Sequence, residues 1–127
     1  MIIYNAGRIK TYENVKALVK LIGEDEQFAE DIWQGMYNDD ELIEEFNYFV
    51  QNKSLRGNAK CGDISLIDLY FSQMNKYNLY HDLGKNPVDC LKERMVIEAF
   101  KELIDMRKNP NYMTDYENIE LKGMDIL

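Results

Sequence analysis

The sequence has little of the chemistry on which most enzymes rely. Among its 127 residues are one histidine, two cysteines and two prolines. The lone imidazole, His81, has Asp82 beside it and no Ser or Cys in a recognisable nucleophile setting. A triad needs a nucleophile, a base and an orienting group brought together, and no motif supplies them. Cys61 and Cys90 stand in no CxxC or other metal spacing, so they read as reduced, buried or half-buried thiols rather than ligands or a framework disulfide. No stretch approaches 18 uncharged apolar residues, which excludes a membrane-spanning helix. The apolar start, Met1 to Tyr4, is too short for a signal peptide. The chain is expected to be soluble and cytoplasmic.

Ligand motifs are missing as well. RGNAKCG places its glycines and lysines in the wrong order for a phosphate-binding loop. NDDELIEEF has the charge of a calcium loop, but apolar residues fall at ligand positions. With 23 Asp and Glu in the chain, paired carboxylates occur trivially and none is singled out for acid–base work. The expectation is a protein without catalytic residues, metal or cofactor.

Cations are absent from a whole quarter of the chain. Residues 21–52 contain no Lys or Arg and carry a charge of -10, residues 1–20 carry +3, and residues 53–127 carry -1. The net charge of -8 therefore resides in the middle segment. A chain this acidic is not drawn to nucleic acid or to an anionic membrane. It suits a basic surface on a partner protein.

Apolar residues make up 46% of the sequence and aromatic residues 12%, enough for a core in a single domain spanning 1–127. Helical spacing dominates. Thr11 predicts an N-cap for a helix over 12–22 with Val15, Leu18, Val19 and Ile22 inward and Gly23 as its stop. A second helix follows over 24–37, with Phe28, Ile32 and Met36 at four-residue steps. Asn38 or Asp39 predicts the cap of a third, reaching Asn52 on a stripe of Leu42, Ile43, Phe46, Phe49 and Val50. Lys53 to Gly62 reads as a loop. Asp63 predicts the cap of a fourth helix ending near Asn78, with His81 in the loop beyond. Ile64, Leu66, Ile67, Tyr70, Phe71 and Met74 wrap much of that helix, which predicts a central position. Asn86 and Pro87 open a fifth over 87–108, closed by Asn109-Pro110. Thr114 and Glu117 form a candidate capping box. The fold class is mainly α: a compact bundle of about five helices. The segments available for a minor two-stranded edge are the terminal ones, MIIYN and LKGMDIL.

The acidic segment is the candidate partner-binding surface. Glu26/Glu30, Asp40/Glu44 and Glu41/Glu45 are four apart, so each pair shares a helix face and costs about 0.2–0.5 kcal/mol in like-charge repulsion. Asp31 and Asp39 add to the field, while Trp33, Tyr37 and Tyr48 are interleaved as apolar anchors. Acids one helical turn apart are about 5–6 Å from each other, comparable to successive phosphates on one strand. The leading expectation is a non-catalytic binding module whose carboxylates cover a basic, nucleic-acid-binding surface as a stoichiometric inhibitor. The chain is similar in size and charge to phage and mobile-element inhibitors of restriction and CRISPR nucleases. On this expectation Glu41→Lys with Glu45→Lys leaves the fold intact and abolishes binding, and cations folded over the acids would weaken it. The alternative is a regulatory or structural subunit that associates through apolar surface, its acidic face only solubilising. Nine tyrosines and seven methionines suit such an adaptable interface.

Overall fold

The computed structural model describes the backbone of residues 2–82 and 90–109 and the side chains of 10–77 and 90–109. Five helices and one small antiparallel sheet make up the described chain: α1 (Ile2–Leu21), α2 (Glu26–Met36), α3 (Asp40–Asn52), β1 (Lys60–Cys61), β2 (Ile64–Ser65), α4 (Leu66–Asp82) and α5 (Leu91–Lys108). The mainly α bundle with a minor two-stranded element is the architecture predicted by the helical spacing.

Local chemistry explains the helix ends. Gly23, at φ 84°, closes α1. Its N–H donates to Lys20 O and that of Glu24 to Val19 O, both at 3.1 Å, the paired bonds of a Schellman turn. Asp25 caps α2 by accepting from Phe28 N at 2.9 Å. Asp39 caps α3 through Leu42 N at 3.1 Å. Ser65 and Asp68 cap α4 reciprocally: Ser65 N donates to Asp68 Oδ2 at 3.0 Å and Asp68 N to Ser65 Oγ at 3.2 Å. These bonds hold the Asp68 carboxyl below its ordinary range. Lys53 ends α3 in the left-handed region at φ 56°. A β-carbon there costs roughly 1–2 kcal/mol, whereas glycine adopts the conformation freely. Lys53→Gly is expected to raise stability by up to about 1 kcal/mol in urea denaturation; a loss would show that the Lys53 ammonium, 5.7 Å from the Phe49 ring, matters more than the strain.

Several expectations change. Ile2 to Asn5 belong to α1, so the N-terminal strand of the predicted edge does not form. With no proline to break it, the helix runs on through Gly7 and places Thr11 in its interior, buried rather than capping. The strands lie instead inside the predicted loop, paired Lys60 to Ser65 and Cys61 to Ile64 across a Gly62-Asp63 turn with Gly62 at φ 61°. The cap of α4 is Ser65, not Asp63, and His81 is helical. Helix α5 begins at Leu91 with Cys90 at its cap; Asn86, Pro87, Thr114, Glu117 and LKGMDIL lie outside the described residues.

The largest revision concerns which helix is central. It is α5, which packs against α1, α2, α4 and β1. Eight of its residues are buried, among them Val96, Ile97, Phe100, Leu103 and Ile104. The Phe100 ring lies 5.3 Å from that of Phe46. Helix α4 is laid mainly on α5 and β2, with Leu66 and Leu69 turned inward. Its apolar circumference is thus only partly used within the described bundle.

Candidate functional site

The acidic residues were placed by α2, α3 and the turns before them, and the fold has matched most of them with donors from elsewhere. Arg56, from the segment after α3, reaches back to Glu44 at 3.0 Å and to Glu45 at 3.4 Å. Its guanidinium lies over the Tyr48 ring, 4.6 Å from the centroid. Arg107, in the last turn of α5, pairs with Asp39. It also donates to Glu41 at 2.9 Å and to Lys60 O at 2.6 Å. Lys60 N donates to the same Glu41 oxygen at 3.0 Å. The like-charge pairs of α3 are therefore separated by two arginines, neither of them on α3.

Helix α2 shows the same arrangement more weakly. Tyr12 OH donates to Glu30 at 2.5 Å. Lys16 stands 3.9 Å from Glu26. Asp31 accepts from Gln27 at 3.0 Å. Glu24 is bound by Arg94 at 3.1 Å, and another donor of that guanidinium reaches Ile22 O, closing the end of α1. Among the described residues Asp40 has no such partner, and it is exposed.

Of the expected anchors, Trp33 is 9% exposed. It is sandwiched between Tyr12 at 5.5 Å and Tyr37 at 5.6 Å, so it holds α1 to α2 rather than facing a partner. Tyr48 lies under Arg56. Glu45 is 1% exposed, and its Oε2 is buried without a hydrogen bond. A cationic side chain there would replace a paired buried charge with an unpaired one. Glu41→Lys with Glu45→Lys is consequently expected to unfold the protein, which corrects the expectation of an intact fold. Glu26, Asp31, Asp40, Glu41 and Glu44 remain exposed.

The hydrogen bonds also tune two phenols. Tyr12 is pushed up to about 12, first by its bond to Glu30. Tyr77 is pushed up to about 12, first by burial and then by its 2.8 Å bond to Glu98. Both shifts favour the neutral, protonated form. Their stabilising effect is present below the ordinary value of 10 and is lost as pH rises toward 12. An ultraviolet titration should find Tyr12 and Tyr77 ionising well above the ordinary value of 10. Tyr12→Phe and Tyr77→Phe should each remove one of these late transitions; a profile unchanged by either would refute the assignment.

The surface not anticipated from the sequence lies along α4. Phe71 is 50% exposed, and only Leu21, at 57%, joins it as an exposed large hydrophobic residue among those described. Phe71 meets Tyr70 edge-on at 5.8 Å. Together with Ile67, Leu55, Phe49 and Val96 they line a groove of about 200 Å³, with Ser54 and Lys92 at its margin. The Lys92 ammonium donates to the backbone carbonyl of Lys53 at 2.5 Å. A larger cleft of about 370 Å³ opens between α1 and α2. Both acids and lysines line it.

No protein-family model matches the chain, and no curated protein or solved structure proved similar to it. Among the described residues no helix is long and apolar enough to cross a membrane, and no group of three or more His, Cys, Asp or Glu is placed to hold a metal ion.

Proposed function

We propose that the protein is a non-catalytic helical binding subunit of the cytoplasm whose working surface is the outer side of α4. The observation that carries this reading is the position of that helix. A helix with apolar residues around most of its circumference is normally buried. Here α4 lies at the margin of the described bundle, with Leu66 and Leu69 inward and Ile67, Tyr70, Phe71 and Met74 only partly covered. Contiguous exposed apolar surface of this kind marks sites of association. On this reading the acids of α2 and α3 cap helices, hold the arginines in place and keep the protein soluble.

A second reading retains the acidic helices as a cover for a basic, nucleic-acid-binding surface. The exposure of Glu26, Asp31, Asp40, Glu41 and Glu44 supports it. Arg56 and Arg107 count against it, because a phosphate mimic must present charge that is not already neutralised.

Two variants separate the readings. Phe71→Glu alters only the α4 surface, and Asp31→Lys with Asp40→Lys alters only exposed acids. Each is compared with the unaltered chain by quantitative affinity capture from cells of the source organism. Loss of the captured proteins with Phe71→Glu and their retention with the lysine pair supports the α4 surface. The reverse pattern supports the acidic cover and overturns the first reading.

A further inference from the structure

We infer that Glu44, Glu45 and the Tyr48 ring form a guanidinium seat, which Arg56 fills from within the chain and which an arginine of a basic partner protein takes by exchange. The inference is independent of the α4 surface and gives the acidic face of α3 a ligand of defined chemistry. That chemistry is visible in the structure, because a guanidinium already sits there. Arg56 Nη2 donates to Glu44 Oε1 at 3.0 Å, and its Nε lies 3.4 Å from Glu45 Oε1. Its central carbon is 4.6 Å from the centre of the Tyr48 ring. Carboxylates for the N–H groups and an aromatic face for the flat surface favour arginine over lysine.

Arg56 fills the seat incompletely. A guanidinium has five N–H donors, and Arg56 turns two of its nitrogens to two different carboxylates. Glu45 is 1% exposed, yet its Oε2 is buried without a hydrogen bond. The two-pronged contact with a single carboxylate, the strong form of this pairing, is not made with Glu45. The strap that carries Arg56 is also lightly held. Among the described residues, 54–58 make no backbone-to-backbone hydrogen bond; the bonds lie at the ends, Lys53 N to Phe49 O at 2.7 Å and Leu66 N to Ala59 O at 2.9 Å. Leu55 and Gly57 are only half-buried. Segments of this kind open more readily than the helices around them. When Arg56 leaves, Glu44 and Glu45 lose their arginine, whereas Asp39 and Glu41 keep Arg107. A buried carboxylate left unpaired draws in another cation, and an arginine not tethered to the strap is free to meet both oxygens of Glu45.

The test is calorimetric titration of the full chain with a peptide of alternating arginine and glycine, and with the same peptide carrying lysine for arginine. The unaltered chain is expected to bind the arginine peptide in preference. Arg56→Ala vacates the seat and should bind that peptide at least about tenfold more tightly, as expected when a competing internal occupant is removed. The lysine peptide should gain less, since loss of one cation strengthens general attraction for both peptides alike. Adding Tyr48→Ala should erase the preference for arginine. The inference is overturned if the unaltered chain binds neither peptide up to about 1 mM, the weak limit of specific association. It is equally overturned if Arg56→Ala raises both affinities alike, or if the preference survives Tyr48→Ala. Circular dichroism follows folding. If Arg56→Ala is unfolded alone, refolding by the arginine peptide and not by the lysine peptide supports the seat, and equal or no recovery overturns it. Failure here leaves the α4 reading standing, because Phe71→Glu tests that surface separately.

Discussion

Gly35→Ala is expected to destabilise the fold by about 1–2 kcal/mol, against the sign that helix propensity predicts. In an isolated helix the change would favour helix by about 1 kcal/mol. Gly35 lies in α2 where that helix crosses α5. A β-carbon built on it would overlap Ile104 Cγ2 and lie 3.1 Å from Cβ and 3.2 Å from Cγ1 of the same residue. Ile104 is buried and β-branched, so its χ1 is held within the helix and the methyl has no free rotamer to adopt. The helices must separate, and overpacking of this kind costs about 1–3 kcal/mol. Urea denaturation measures the change. Ile104→Ala removes the opposing methyl groups, so the double variant should be more stable than the sum of the two single effects by at least about 1 kcal/mol. A neutral or stabilising Gly35→Ala would show that α2 and α5 do not meet this closely.

Arg107→Ala should cost about 2–3 kcal/mol, through charge rather than volume. The side chain is 22% exposed and joins three elements: Asp39 at the cap of α3, Glu41 in its first turn, and Lys60 O in β1. Removing it leaves Asp39, Asp40 and Glu41 adjacent with no arginine between them. Arg107→Lys should recover only part of the loss, because a single ammonium cannot reproduce the planar fork that reaches all three acceptors. The variant also bears on function. If the acidic helices cover a basic partner, removing Arg107 exposes more negative charge and should tighten that binding at low salt. If α4 is the working surface, partner binding by the folded protein should not change. Denaturation in urea gives the stability, and titration against whichever partner is captured gives the affinity.

Much of the local structure was legible because it depends on neighbours in sequence. The stop at Gly23, the cap at Asp39 and the buried stripe of α3 all follow from residues a few positions apart. The capping box Ser65-Leu66-Ile67-Asp68 and the Cys61-Gly62-Asp63-Ile64 hairpin were equally legible in principle. Their signals are a Ser followed three residues later by Asp, and a two-residue turn containing glycine. The first was masked by Asp63, an equally good capping type two residues earlier; the second by the polar composition of Lys53 to Gly62.

The candidate site was less legible. Its acids were found, but the meaning of their spacing was not. A four-residue spacing shows that two carboxylates share a face; it does not show what approaches that face. The partners of Glu44 and Glu41 come from 12 and 66 residues away. Apolar periodicity likewise shows that α4 has apolar residues on most sides, without showing which sides are covered.

The sequence by itself determined a mainly helical chain, where most of its helices end, and an acidic middle segment with no cations of its own. Those properties are set by backbone preferences, caps and side-chain periodicity over one or two turns. Only the tertiary structure decided that α5 is the centre and α4 the margin. It also decided that Arg56 and Arg107 close over the acids and that Glu45 is buried beneath them. Such outcomes depend on how helix faces and distant segments meet in space, and packing fixes that only when the whole chain is assembled.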